Sequence, residues 1–185
     1  MKECFLGDSY DVVKRFWAQS LHSLAPLYAH PRFIPAAIRA QYSLITTIPV
    51  FDLPGAMPDV PFGVLLDPNT GIPLPNESSS ITATADHAPL DFIARLMDEY
   101  APSYLICFDQ SHHRVQNFDK KSQRRKKTDY LFQEHGLSAF YYVSHAPFLF
   151  TSQAPQSLTA VLDRLTSIGV PRSRFELELL QSNPA

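Results

Sequence analysis

Tyr104-Leu105-Ile106-Cys107-Phe108 is an unbroken apolar run, and it constrains the fold of this chain more than any other feature. A strand alternates its side chains between two faces, so a run without polar alternation needs cover on both. Phe62-Gly63-Val64-Leu65-Leu66 and Ala139-Phe140-Tyr141-Tyr142-Val143 have the same character. Helical patterns lie between such runs: Leu90, Ile93, Ala94, Leu96 and Met97, then Leu158, Val161, Leu162 and Leu165. Apolar side chains at that spacing line one face of a helix. The alternation predicts an α/β fold in three layers, a mostly parallel central sheet with helices on both faces.

The remaining elements follow from local chemistry. Glu3 to Leu6 reads as a short strand turned by Gly7-Asp8. Asp8 then suits the N-cap of a helix, with Asp11 in its first turn and Val13, Phe16, Trp17, Leu21 and Leu24 as its buried stripe. Prolines 26, 31, 35, 49, 54, 58 and 61 make residues 26–61 an irregular segment. Within it, Pro35 to Gln41 suits a short helix, Ser43 to Phe51 a strand and Asp52 to Pro61 a surface loop. Asp67-Pro68-Asn69-Thr70-Gly71 is turn chemistry, and Asn76 to Ala85 is a Ser/Thr-rich loop or an extended edge. Thr128 to His135 reads as a helix stopped by Gly136, Phe148 to Phe150 as added strand pairing, and Phe175 to Leu180 as an edge strand.

A length of 185 residues suits one α/β domain over 1–185. A hydrophobic fraction of 45% against 18% charged residues is ample for a packed core and unlike a disordered chain. The net charge of −2 points the whole chain at neither nucleic acid nor membrane. Its distribution does more. Arg114, Lys120, Lys121, Arg124, Arg125, Lys126 and Lys127 crowd one segment that holds a single acid, Asp119. Cys4 and Cys107 stand in apolar runs without paired-ligand spacing, so they read as two buried free thiols in a reducing cytosol. Met1-Lys2-Glu3-Cys4 has no secretory character, and no apolar run reaches the roughly 18–20 residues that cross a bilayer. The expectation is a soluble, cytoplasmic protein with no membrane partner; the oligomeric state is not encoded legibly.

Three aspartates, Asp8, Asp67 and Asp109, stand directly after expected strands. In open α/β sheets the carboxyl ends of the strands form the ligand crevice. Carboxylates gathered there repel one another unless a cation neutralises them, which suits Mg²⁺ or Mn²⁺ and the activation of water for phosphodiester cleavage. Asp8, Asp67 and Asp109 are therefore the candidate catalytic and metal-binding residues. Each also has a plainer role as a cap or turn former. The basic residues from Arg114 to Lys127 are the candidate phosphate contacts, or else a solvated helix face.

Asp8-Ser9-Tyr10, Asn69-Thr70-Gly71-Ile72-Pro73, the helix at Leu90–Tyr100 and Leu105-Ile106-Cys107-Phe108-Asp109 followed by Arg114 resemble the front half of PIN-like 5′-nucleases. These are the flap-endonuclease and DNA polymerase I 5′-nuclease type. The resemblance implies that Asp8 and Asp109 are metal ligands and Arg114 a phosphate contact. The stretch from Lys127 to Val143 is similar to the segment before that family's second acidic cluster. The chain departs where that cluster belongs: Val143-Ser144-His145-Ala146-Pro147-Phe148 has no acid. It is also longer than the family between Asp8 and the Asn-Thr-Gly turn.

Other readings compete. Without catalysis, the same features describe an α/β module that binds nucleic acid or protein through its basic segment. Gly7-Asp8-Ser9 is similar to the first block of SGNH esterases, which would make Ser9 a nucleophile. Asp109-Gln110-Ser111-His112 offers a D-x-x-H spacing and Asn69 an oxyanion donor, although that family carries its Asp and His near the C-terminus. His145, after the strand ending at Val143, is placed to face the crevice as acid, base or ligand. No G-x-G-x-x-G or P-loop motif occurs.

Overall fold

The computed structural model describes residues 3–51, 58, 61–75, 83–111 and 119–177. Its elements are α1 (Ser9–Leu21), β1 (Leu27–Ala29), α2 (Arg39–Thr46), β2 (Gly63–Leu66), α3 (Leu90–Tyr100), β3 (Tyr104–Phe108), α4 (Lys120–His135), β4 (Ser138–Tyr142), β5 (Phe148–Ser152), α5 (Pro155–Ser167) and β6 (Phe175–Glu176). The six strands form one sheet in the order β1-β2-β3-β5-β4-β6. The fold is α/β, with a mixed sheet.

Among the named strands, parallel pairing is confined to β1-β2 and β2-β3, while β5 runs antiparallel to both β3 and β4, and β6 antiparallel to β4. The β4–β5 link explains the change. Residues 143–147 are too few for a crossover, so the two strands form a hairpin. That hairpin inserts β5 between β3 and β4, and α4 carries the chain over it.

Two hydrophobic clusters divide the strand residues by parity. Leu65, Ile106, Phe108, Phe140, Phe148 and Phe150 join Trp17 of α1, Tyr42 of α2 and Leu162 of α5. Val64, Leu66, Leu105, Cys107, Ala139 and Leu149 join α3 and Leu131 of α4. Neighbouring strand residues point to opposite faces, which is why the apolar runs are continuous. Trp17 anchors the first cluster edge-on against Tyr142, Phe148 and Phe150.

Several local expectations are corrected. Glu3–Phe5 is a turn of 3-10 helix with Cys4 exposed rather than buried, and among the described residues no strand precedes Asp8. Asp8 does cap α1, its carboxylate accepting from the Tyr10 and Asp11 amides. The buried face of α1 is Asp11, Lys14, Trp17, Ala18 and Leu21, whereas Phe16 and Leu24 are each 39% exposed. The proposed strand from Ser43 begins instead as the end of α2, because Tyr42 and Thr46 bury there and Thr46 Oγ1 donates back to the Tyr42 carbonyl. Thr47 closes that helix in the left-handed region, at φ 61°. Only Val50 then bridges to Ala29. α4 starts at Lys120, eight residues before Thr128, capped by Asp119. The loop expected at 52–61 and the Ser/Thr-rich stretch fall largely outside the described residues, as does the strand end beyond Leu177.

Candidate functional site

β2 and β3 are parallel neighbours, so Asp67 and Asp109 leave the same edge of the sheet. Each directly follows its strand, but Leu66 pairs with Cys107, so Asp67 is level with Phe108 and Asp109 lies one residue further along. One residue is a change of face. Asp67 meets α1 on the side of the first hydrophobic cluster, and Asp109 meets α4 and β4 on the other.

Asp67 is 3% exposed and receives Lys14 Nζ at 2.6 Å. The same ammonium reaches Asp11 Oδ1 at 2.9 Å, and Asp11 Oδ2 accepts the Gly7 amide at 2.7 Å. Burial works against the Lys14 charge, but Asp67 and Asp11 outweigh it and hold its pKa above the usual lysine value. Lys14 is thus a permanent ammonium and no candidate for a neutral amine nucleophile. Burial, then Asp67 and Asp11, also push the neighbouring Tyr42 hydroxyl well above its usual range.

Asp109 is 1% exposed and collects five donors. Oδ1 accepts from the Ile72 amide at 2.9 Å, the Ser111 amide at 3.1 Å and Ser111 Oγ at 2.7 Å. Oδ2 accepts from Lys127 Nζ and the Tyr141 hydroxyl, both at 2.7 Å. The backbone fits around this carboxylate. Gly71 lies at φ +129°, and a Cβ there would stand 2.7 Å from Asp109 Cα. Burial, then the charge of Asp109, raise the Tyr141 hydroxyl and the Cys107 thiol well above their ordinary values, so Cys107 is inert as a nucleophile.

A shared divalent ion does not fit these residues. Asp67 and Asp109 each hold a buried lysine on opposite faces, and no group of three or more His, Cys, Asp or Glu among the described residues could hold a metal. A metal would have to displace an ammonium and leave it buried without its counter-charge, which is strongly unfavourable. Asp8 is brought beside Asp67, since both line one small cavity with Lys14, Tyr10, Asn69, Phe108 and Gln110.

α4 sorts the basic segment. Gln123, Arg124, Lys127, Thr128 and Leu131 are buried at helical spacing, and Arg124 makes a bidentate pair with Glu176 of β6 at 2.8 Å for each bond. Arg124 and Lys127 are therefore packing residues of the fold, not phosphate contacts. Lys120, Lys121, Arg125 and Lys126 occupy the exposed side, with Arg125 near Asp129 at 3.6 Å. Arg114 lies outside the described residues, as do His112 and His113.

Ser9 is exposed as the first residue of α1. His112, the base of the esterase spacing, is outside the described residues, while Asp109 is committed to Lys127 and Tyr141. Asn69 Nδ2 donates to Asp86 at 2.8 Å. His145 is stacked on Tyr10 at 5.7 Å, and Gln110 donates to both the Tyr10 hydroxyl and the His145 carbonyl. His30 instead caps the 3-10 turn at Pro31–Phe33, and burial, then Arg32 and Arg95, lower its pKa to about 4.

Asp11, Lys14, Ser111 and Tyr141 escaped the reading of the sequence. Lys14 had a signal: it falls three residues before Trp17 and seven before Leu21, on the apolar stripe itself. In comparison with known proteins, the chain matches no family model, no curated protein and no solved structure. Among the described residues no helix is long and apolar enough to cross a membrane.

Proposed function

We propose that this chain is a non-catalytic α/β interaction module that binds nucleic acid through the exposed side of α4. The supporting observation is the division of that helix. Its inward cations pack into the fold against Asp109 and Glu176, and Lys120, Lys121, Arg125 and Lys126 lie on its solvent-exposed side within two turns. Cations in that density neutralise phosphates and release their counterions, which is the main source of sequence-independent affinity. The paired state of Asp67 and Asp109 favours binding over metal-dependent hydrolysis. A relative of 5′-nucleases that kept a basic helix after its strand–Phe-Asp unit, but closed its carboxylates with lysines, would have this arrangement.

The test is anisotropy of labelled single-stranded and duplex oligonucleotides across a salt series. Replacing Lys120, Lys121 and Lys126 together by Gln is expected to weaken binding and flatten its salt dependence, by about two in the log–log slope for single strands. Affinity and slope unchanged in that variant would remove the proposal.

A further inference from the structure

β1 ends the sheet on one side, far from α4. Its backbone groups turn alternately inward and outward along the strand. Inward, the Pro26 carbonyl accepts the Gly63 amide and the His30 amide donates to the Leu65 carbonyl, both at 2.9 Å. Outward, the Ala29 amide donates to the Pro49 carbonyl at 2.8 Å, and the Ala29 carbonyl accepts the Phe51 amide at 3.0 Å. Leu27 lies two residues before Ala29, so its amide and carbonyl point outward as well. Among the described residues neither has a hydrogen-bond partner.

The ladder stops there for a chemical reason. One more parallel step would need residue 49 to donate to the Leu27 carbonyl and residue 47 to accept from its amide. Pro49 has no N–H to give. Thr47 is the left-handed end of α2, at φ 61°, and does not continue a strand. Leu27 is only 3% exposed, and buried backbone groups left without partners are rare and costly.

A groove of about 520 Å³ opens beside them, lined by Leu27, Thr47 and Pro49 together with Ala18, Gln19 and His22 of α1. Clefts that hold ligands span roughly 300–1,000 Å³. The Leu27 side chain belongs to the hydrophobic cluster on the α1 side of the sheet. A residue paired with Leu27 would send its own side chain to that side, where Ala18 is small and leaves room. Gln19 and His22 are exposed and make the rim polar.

We propose that this groove takes an extended peptide segment of a partner protein, running antiparallel to β1, with one apolar residue exchanging both main-chain bonds with Leu27. A donor and an acceptor at strand spacing are what a peptide backbone recognises when it adds to a sheet edge. A single residue supplies both bonds only in an antiparallel pair. A parallel segment would need a residue in the place of Pro49. A second copy of β1 does not fit, because its Leu27 is recessed in the same way. The proposal is independent of α4.

Amide NMR of the full chain tests it, with the blocked tripeptide acetyl-threonyl-leucyl-threonine methylamide as the probe. The peptide is expected to shift the Leu27 amide and to slow its exchange with solvent. Methylating the peptide's central nitrogen removes its donor and is expected to weaken binding roughly fivefold, the effect of one neutral hydrogen bond. Glutamate in place of the central leucine is expected to bind more weakly too. Pro49→Ala supplies the missing N–H at an exposed position. It is expected to occupy the Leu27 carbonyl and to weaken the unmodified peptide by a similar factor, with the rest of the spectrum retained. A Leu27 amide that ignores millimolar peptide, or equal affinity for the methylated or glutamate peptide or in Pro49→Ala, would overturn the proposal. A Leu27 shift that follows protein concentration without peptide would assign the edge to a second copy and overturn it as well.

Discussion

Lys127 Nζ stands 2.7 Å from Asp109 Oδ2, and neither side chain is more than 1% exposed. The pair ties α4 to the end of β3, and Tyr141 and Ser111 complete the carboxylate's coordination by donors. A site that holds its own counter-charge this way is a structural joint between layers.

Breaking the joint on one side leaves a buried charge. Lys127→Met and Asp109→Ala are each expected to destabilise the fold by about 3–5 kcal/mol. In urea denaturation the double variant should lose clearly less than the two single losses combined. Strict additivity would mean that the two side chains do not act as a pair.

Gly71 meets Asp109 through the space that a Cβ would need, in a backbone conformation at φ +129°. Gly71→Ala is expected to destabilise by at least about 2 kcal/mol, from strain and the displaced carboxylate together. A cost near that of an ordinary surface substitution would contradict the close approach.

His30 supplies the acid sensitivity. Its folded-state pKa of about 4 lies below the ordinary 6.5, so its contribution is complete above pH 6.5 and is lost as pH falls towards 4. The window amounts to up to about 3 kcal/mol. His30→Asn, which can still accept the Arg32 amide, should flatten the fall in urea midpoint between pH 7 and 4.5. An equal fall in both proteins would assign it to other groups.

Mn²⁺ should neither bind tightly nor raise the melting temperature, because the carboxylates it would need are held by Lys14 and Lys127. Calorimetric titration checks this. A Mn²⁺ site lost on Asp67→Asn or Asp109→Asn would restore the metal-dependent nuclease reading.

The strand ends were legible because continuous apolar runs stop sharply at Asp67 and Asp109. Which face each carboxylate takes was not. It depends on register between β2 and β3, and a shift of one residue reverses it. The start of α4 was hidden for a different reason. Its inward stripe is Gln123, Arg124, Lys127 and Thr128, so an apolar periodicity has nothing to detect until Leu131. Ile45-Thr46-Thr47-Ile48 looked like a strand by β-branching, yet burial of Tyr42 and Thr46 draws the first half into α2. Local propensity gives way there to packing.

Salt-dependent binding of a labelled oligonucleotide to the wild type and to the Lys120, Lys121 and Lys126 to Gln variant measures the central proposal most directly. Binding that weakens steeply with salt is expected in the wild type, and a weaker, flatter response in the variant with the fold intact. Identical curves for the two proteins, or no binding at low salt, would contradict it.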